Sequence, residues 1–257
     1  IPFTEAINGD ILQPAYDTEA TAYAGIITML TDASALLATG NGSITASSDL
    51  FYAGDASKWK KLANSLMFRA LMRISSTPEN QNSKMQGLMG KMFASNEDNA
   101  QITYLGAAPD ANPIWETIVN GNRAEYKINS VIVDILNGLN DERLAVYAGT
   151  NASGAIVGKP SGFGAATTLP NEALGYTYAN ISPLGDKYLT ATLPGVLMSY
   201  SQLNFLVAQA ANEGYISGGI PMASAWYRQG IAASFAFNGI SSATYLAQEA
   251  INFSTQS

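Results

Sequence analysis

The segment "DASKWKKLANSLMFRALMRIS", Asp55 to Ser75, limits the possible folds more than any other part of the chain. Placed at 100° per residue, Lys58, Lys61, Ser65, Arg69 and Arg73 fall on one narrow polar stripe. Trp59, Ala63, Leu66, Met67, Ala70, Leu71 and Ile74 fill the opposite side, and Phe68 extends it. A helix apolar over most of its circumference has to be covered on more than one flank. Asp55 is a suitable N-cap, whereas lysines at 58, 60 and 61 oppose the positive end of the helix dipole and need nearby acids or solvent to offset them. The segment therefore predicts a stack of helices, with this one inside it. Arg69 and Arg73, one turn apart, are expected to satisfy a neighbour's carboxylate or helix carbonyls, and Trp59 to belong to the core.

Three-and-four spacing of apolar residues predicts a helix over Tyr16 to Thr39, stopped by Gly40, and a loop from Asn41 to Gly54. Further helices are predicted at Ser83 to Ala94, Tyr126 to Leu139, Val196 to Glu213, Pro221 to Phe237 and Ala243 to Phe253. The stretch from Val196 to Phe237 reads as a helical hairpin, with a turn at Gly218-Gly219 and Pro221 at the first helical position. Its length is about that of one tetratricopeptide-type unit. Strand signals are thin, limited to "AQITYLG" near Tyr104 and short pairs between Tyr147 and Tyr178. The Gly-, Ala-, Thr- and Asn-rich region there reads as long ordered loops, because aromatics recur in it. Leu189 to Asn212 carries no charge, but Pro194, Gly195, Gln202, Asn204 and Gln209 are too polar for lipid, so a buried helix behind a loop is expected.

At 257 residues the chain is long enough to build a core without metal or disulfide. The absence of Cys and His excludes thiol nucleophiles, imidazole bases, Ser/His/Asp triads and ordinary zinc sites, and no cofactor is expected. A net charge of -7 argues against nucleic acid as a partner. Charged residues make up only 13%, roughly half the usual share, so the surface is neutral and rich in amides and hydroxyls. "NEDN", Asn96 to Asn99, offers oxygen atoms but lacks the spacing of a calcium loop and reads as a solvated turn. "SGAIVGKPSG" fails as a phosphate loop, because Pro160 stands where Ser or Thr must hold magnesium.

"GDASKWKKLANSLMFRALMRIS" resembles the "GD..KW.KFANSLRLRLAMRIS" helix of SusD-like proteins, glycan-binding outer-membrane lipoproteins paired with SusC-type TonB-dependent transporters in Bacteroidetes. Four more segments agree in order. "IPFTEAINGD…LQPAYDT" is similar to "VPYSEA…G…QPKYD", "LNDERLAVY" to "LNDPRL..Y", "LMSYSQLNFLVAQAANEGY" to "LMSYAEVNFLLAEAALRGY", and "AWYRQGIAASFAFNGI" to "YYE.GI.ASM..YGI". Gln202 and Gln209 stand where the family pattern has Glu, and Glu142 replaces a proline. The resemblance implies a mostly α fold of tetratricopeptide-like helix pairs with long irregular loops and little β. It implies one SusD-like domain over residues 1–257, a fragment lacking the family's lipid-bearing first region and its C-terminal end. Residues 16–94 and 196–253 would form the scaffold and 95–195 the ligand-binding part. It also implies a non-enzymatic protein at the bacterial cell surface, held in the outer membrane only through a lipid anchor outside this chain. Such a protein captures an oligosaccharide or other nutrient and passes it to a SusC-like transporter.

The family's glycan-binding residues lie outside these matched motifs, so site candidates rest on residue chemistry. Trp115 sits in a weakly periodic segment with Asn122, Arg123 and Tyr126, and Tyr176 and Tyr178 form a second patch. Flat π-faces against a sugar ring, with amide and guanidinium forks for paired hydroxyls, are what glycan recognition needs. The alternative is that Trp115 anchors a loop onto the core. Rival functions are a glycoside hydrolase using carboxylates such as Glu116, Glu125, Asp134 or Asp141, a protein-binding helical adaptor, and a peptide-binding relative.

Overall fold

The long helices begin where the capping residues dictate. Helix α1 spans Glu19–Ala38, and the Thr18 hydroxyl accepts the Thr21 N–H at its start. Helix α2 spans Ala56–Arg73, and the Asp55 carboxylate accepts the N–H groups of Ser57 and Lys58. There follow α3 (Met85–Leu88), β1 (Ala100–Ile102), α4 (Pro113–Trp115), α5 (Ser130–Gly138), α6 (Leu144–Tyr147), β2 (Gly195–Met198), α7 (Tyr200–Asn212), α8 (Gly219–Phe237) and α9 (Ala243–Leu246). β1 and β2 pair as a two-stranded sheet. This computed structural model describes residues 1–40, 42–123, 125–161, 175–248, 251 and 253. The chain divides into two units, Ile1–Ala100 with Leu197–Ala233, and Gln101–Val196 with Ser234–Ser257.

In the first unit α2 is the interior element, with Leu62, Ala63, Met67, Phe68, Ala70, Leu71 and Met72 all buried. α1 runs antiparallel to it: Ser34 donates to Asn64 Oδ1 at 2.8 Å, and Thr31 lies against the Met67 sulfur three residues earlier on α1. α7 and α8 form the expected hairpin. The Phe205 and Tyr227 rings meet edge to face at 5.8 Å, and the Ser201 hydroxyl donates to the Gly230 carbonyl at 2.7 Å. Gly230 permits this approach, since a Cβ there would lie 3.0 Å from the Phe205 ring and 3.2 Å from Asn204 Cβ.

The polar stripe of α2 is divided between two environments. Along its first half the chain from 91 to 98 is drawn across the helix. Lys58 Nζ donates to the Glu97 carbonyl at 2.9 Å, Lys61 Nζ meets both Asp98 oxygens at 2.9 Å, and Ser65 Oγ accepts the Phe93 N–H at 3.1 Å. Asn64 adds a 2.8 Å bond to the Lys91 carbonyl. Of the three lysines that oppose the dipole, Lys61 thus finds an acid and Lys58 a backbone carbonyl. Along the second half Arg69 and Arg73 have no hydrogen bond or ion pair among the described residues, contrary to the expectation that they satisfy a neighbour. Trp59 behaves as a structural residue. Its Nε1 donates to Asp49 Oδ2 at 2.8 Å, and its ring packs on Phe51 and Tyr52.

The "NEDN" turn is solvated only in part, Glu97 being exposed. Asp98 and Asn99 are buried, and the turn ties four parts of the unit together. Asp98 holds Lys61 and the Ala94 N–H, and its carbonyl accepts the Tyr52 hydroxyl. Asn99 Oδ1 accepts the Tyr200 N–H at the start of α7, and Asn96 donates to the Ala233 carbonyl of α8.

In the second unit Val133 and Leu136 of α5 pack with Leu144 of α6 and Ala148, flanked by Ile128, Ile132, Tyr147 and Ile156. Arg143 grips the buried Asp141 with a fork of hydrogen bonds, donates to the Ser234 hydroxyl at 2.7 Å, and stacks over Phe235 and Tyr245. The Tyr188 hydroxyl bonds Asn238 Oδ1 at 2.9 Å, and burial pushes its phenol up to about 12.

Several boundaries differ from those the periodicity predicts. Residues 83–94 form a short 3-10 turn and the single turn α3, because the following chain is pulled over α2 by Asn64, Ser65 and Lys61. α5 starts at Ser130 rather than Tyr126, since Ile128 is held extended between Lys159 and Ser182 and Asn129 caps the helix. The 196–213 segment is β2 followed by α7, with Ser199 as the cap. Pro221 is the third residue of α8, still in the first turn where its missing N–H costs nothing. Of the helix expected over Ala243 to Phe253, α9 covers Ala243–Leu246, and residues 249, 250 and 252 lie outside the described ones.

Candidate functional site

Trp115 closes the single turn α4, whose start is fixed by the buried Asn112. Its Oδ1 accepts the Ile114 N–H at 2.8 Å, its Nδ2 donates to the Leu193 carbonyl at 2.8 Å, and its own N–H donates to Ala191 at 2.7 Å. The indole is half-buried, and its N–H has no acceptor among the described residues. The chain then widens into a π-turn over Glu116–Asn120. Such turns cost regular hydrogen bonding and are found mostly where a site needs a side chain redirected. Gly121 closes it, since a Cβ there would lie 2.6 Å from the Thr117 carbonyl oxygen. Asn122 follows in the left-handed region with φ 51° and is exposed.

Arg123 meets Tyr126 at the surface, and Lys127, next in sequence to Tyr126, meets Tyr178. The Arg123 guanidinium is ion-paired with Glu125 and lies 5.8 Å from the Tyr126 ring centre. Lys127 Nζ donates to the Tyr178 carbonyl at 3.0 Å and sits 6.0 Å from the Tyr178 ring centre. Tyr126 and Tyr178 are both exposed, 45% and 41%, which leaves ring surface for a ligand. Tyr176 is half-buried. The hydrogen bond from Arg123 and the charge of Glu125 raise the guanidinium's already high pKa, so it stays a cation. Burial holds the Lys127 ammonium below the usual lysine range.

Trp115 has no ring contact among the described residues, so it is linked to Arg123 through the π-turn rather than by stacking. Lys127 and Gly121 were missed by the sequence reading, which named Glu125 only as a carboxylate available to a hydrolase and not as the ion-pair partner of Arg123. The signal for Lys127 and for that ion pair lay in "RAEYK", where charges flank the tyrosine on both sides. Of the carboxylates available to a hydrolase, Asp141 is committed to Arg143, Glu125 to Arg123, and Glu116 accepts the Ala111 N–H. Among the described residues no group of three acids is arranged to hold a metal ion.

The family described as SusD-like, starch-binding and associating with the outer membrane, matches residues 1–257. A SusD homologue of Bacteroides fragilis superposes with a TM-score of 0.76 at 25% identity, over 98% of this chain and 56% of its own. A protein described as chitin-binding gives 0.76 at 25% identity, over 98% and 54%. A chitin-binding SusD homologue of Flavobacterium johnsoniae gives 0.79 at 23% identity, over 96% and 50%. The chain spans about half the length of these solved structures. No curated protein sequence matches it.

Proposed function

Because this chain belongs to the SusD-like family, whose members associate with the outer membrane, we propose that it binds a neutral oligosaccharide without cleaving it. The observation that carries this reading is Trp115. It is a half-buried indole whose N–H has no acceptor among the described residues, set by Asn112 at the start of the π-turn that leads to Asn122 and Arg123. A π-face of this kind takes the C–H face of a sugar ring, and the amide and the guanidinium take paired hydroxyls. Tyr176 and Tyr178 extend the apolar platform. The commitment of Glu116, Glu125 and Asp141 to hydrogen bonds within the fold favours binding over hydrolysis. The bound glycan is then delivered to a SusC-like TonB-dependent transporter at the cell surface, where a lipid anchor borne outside these residues holds the protein.

Calorimetry with malto- and chito-oligosaccharides, on the wild type and on Trp115→Ala, tests the reading. We expect binding to one series, at least a tenfold loss of affinity in the variant, and no shorter sugars after prolonged incubation. Product release would instead make the protein a hydrolase. Unchanged affinity would remove Trp115 from the site.

A further inference from the structure

The loop that precedes α1 is pinned at its base and bare at its tip. The Asp17 carboxylate accepts the N–H groups of Phe3 and Thr4 at 2.6 and 2.8 Å and the Thr4 hydroxyl at 2.8 Å, and Glu5 accepts the Ala15 N–H at 2.7 Å. Phe3 is seated where Gly25 of α1 has no side chain, since a Cβ there would lie 2.1 Å from its ring. Between these ties Ile7, Asn8, Gly9, Asp10 and Leu12 are all exposed. The tip is a tight turn, in which the Ile11 N–H donates to the Asn8 carbonyl at 3.1 Å and the Asp10 N–H to Asn8 Oδ1 at 3.1 Å. The Gly9 N–H has no acceptor among the described residues, and a Cβ on Gly9 would meet nothing within 4 Å.

Asn-Gly is the pair in which the second residue's backbone nitrogen is least shielded, because glycine has no Cβ. The chain has five such pairs, and Asn41 of one lies outside the described residues. Three of the other four are held. The Gly121 N–H donates to the Glu116 carbonyl at 2.8 Å. The Gly239 N–H donates to the Ala236 carbonyl at 3.0 Å, and the buried Asn238 amide is bonded to Tyr188 and Ser234. Asn137 and Gly138 are the last two residues of α5, where the helical ladder takes the N–H. Among the described pairs, only Asn8-Gly9 combines an unbonded nitrogen with a side chain folded back over it.

We infer that Asn8 is a self-modifying site, which turns into isoaspartate and aspartate through a succinimide while the protein stays folded. Hydroxide takes the Gly9 N–H proton, the nitrogen attacks Asn8 Cγ, and the Cγ–Nδ2 bond breaks as water returns a proton to the departing ammonia. The Asp10 N–H stands where the oxyanion on Oδ1 forms, and a donor already in place lowers such a barrier. The same bond draws the amide toward the Gly9 nitrogen, so the reacting atoms need little search. Water then opens the ring. Breaking the bond from Gly9 nitrogen to Cγ gives aspartate, and breaking the bond to the Asn8 backbone carbon gives isoaspartate, with an extra methylene in the main chain. Either product adds a carboxylate to a loop that already holds Glu5, Asp10 and Asp17. The ties at Asp17, Glu5 and Gly25 lie at the base of the loop, so the rest of the fold is untouched.

Incubation of the folded protein in mildly alkaline buffer tests the inference. Peptide mapping by mass spectrometry, with labelling by isoaspartyl methyltransferase and tritiated S-adenosylmethionine, reads each pair separately. We expect Asn8 to convert at least tenfold faster than Asn120, Asn137 or Asn238. In urea the four pairs should react at similar rates, with Asn8 no faster than in the folded protein. Gly9→Ala has room for its methyl and should slow conversion at least tenfold. Asp10→Pro removes the N–H from Oδ1 and should slow it as well. Melts of fresh and aged wild type, followed by circular dichroism, should coincide. Asn120, Asn137 or Asn238 keeping pace with Asn8 in the folded protein, faster conversion of Asn8 in urea, or indifference to Asp10→Pro would each overturn the inference.

Discussion

Single residues of the "NEDN" turn do more than their exposed-loop composition suggests. Asp98 is 4% exposed at its side chain and joins Lys61, Ala94 and, through its carbonyl, Tyr52. Asp98→Ala leaves the Ala94 N–H without its acceptor and Lys61 without its partner, so we expect a loss of about 1–3 kcal/mol, read from the urea midpoint. Lys61→Met should cost at least as much at neutral pH, because it leaves the buried Asp98 carboxylate without its counter-charge. Asp49 carries the acid sensitivity. Partial desolvation raises its pKa, but hydrogen bonds from Gly54, the Trp59 indole, Phe51 and Tyr52 outweigh this and hold the carboxyl below the ordinary range. Asp55 and Asp17 are lowered likewise, through hydrogen bonds from Ser57 and Thr4. A carboxyl depressed by folding contributes stability that is complete above its unfolded pKa of about 4 and is lost as pH falls through the folded value. Unfolding midpoints should therefore be flat from neutral pH down to about 5 and decline below 4, with a shallower decline in Asp49→Asn.

At the scale of elements, α2 and the α7–α8 hairpin show which local signals decide a helix. Asp55 caps α2 as its sequence position suggests, and Asp55→Ala should cost about 1 kcal/mol with no change in the folded circular dichroism spectrum. Gly230 is a sharper test, because propensity and packing pull in opposite directions. Alanine in a helix interior gains up to about 1 kcal/mol over glycine. A Cβ here, however, would press on Phe205 at 3.0 Å and on Asn204, which is wholly buried and has no room to move. Overpacking of this kind costs about 1–3 kcal/mol, so Gly230→Ala should lower the melting temperature rather than raise it. The missed boundaries share one cause. Residues 83–94 and 126–129 have helical periodicity, but their backbone groups are claimed by side chains or strands distant in sequence. No local pattern records such partners.

For the whole molecule, low charge density and an amide-rich surface fit recognition of an uncharged ligand. Affinity for a neutral oligosaccharide should change less than about twofold between 50 and 500 mM salt, since no counterions are released on binding. A steep salt dependence, measured by calorimetry, would point to an anionic ligand instead. The sequence alone determined the helical class, the interior position of α2, the α7–α8 hairpin and the family. Each of these is written in apolar spacing, capping residues or ordered motifs along neighbouring positions. Only the tertiary structure decided that one polar stripe of α2 is half covered and half open, that Asp98 and Asn99 of "NEDN" are buried ties, and that Lys127 reaches Tyr178. Those outcomes depend on which distant backbone groups arrive beside a side chain, and periodicity on a single helix carries no information about what packs against it.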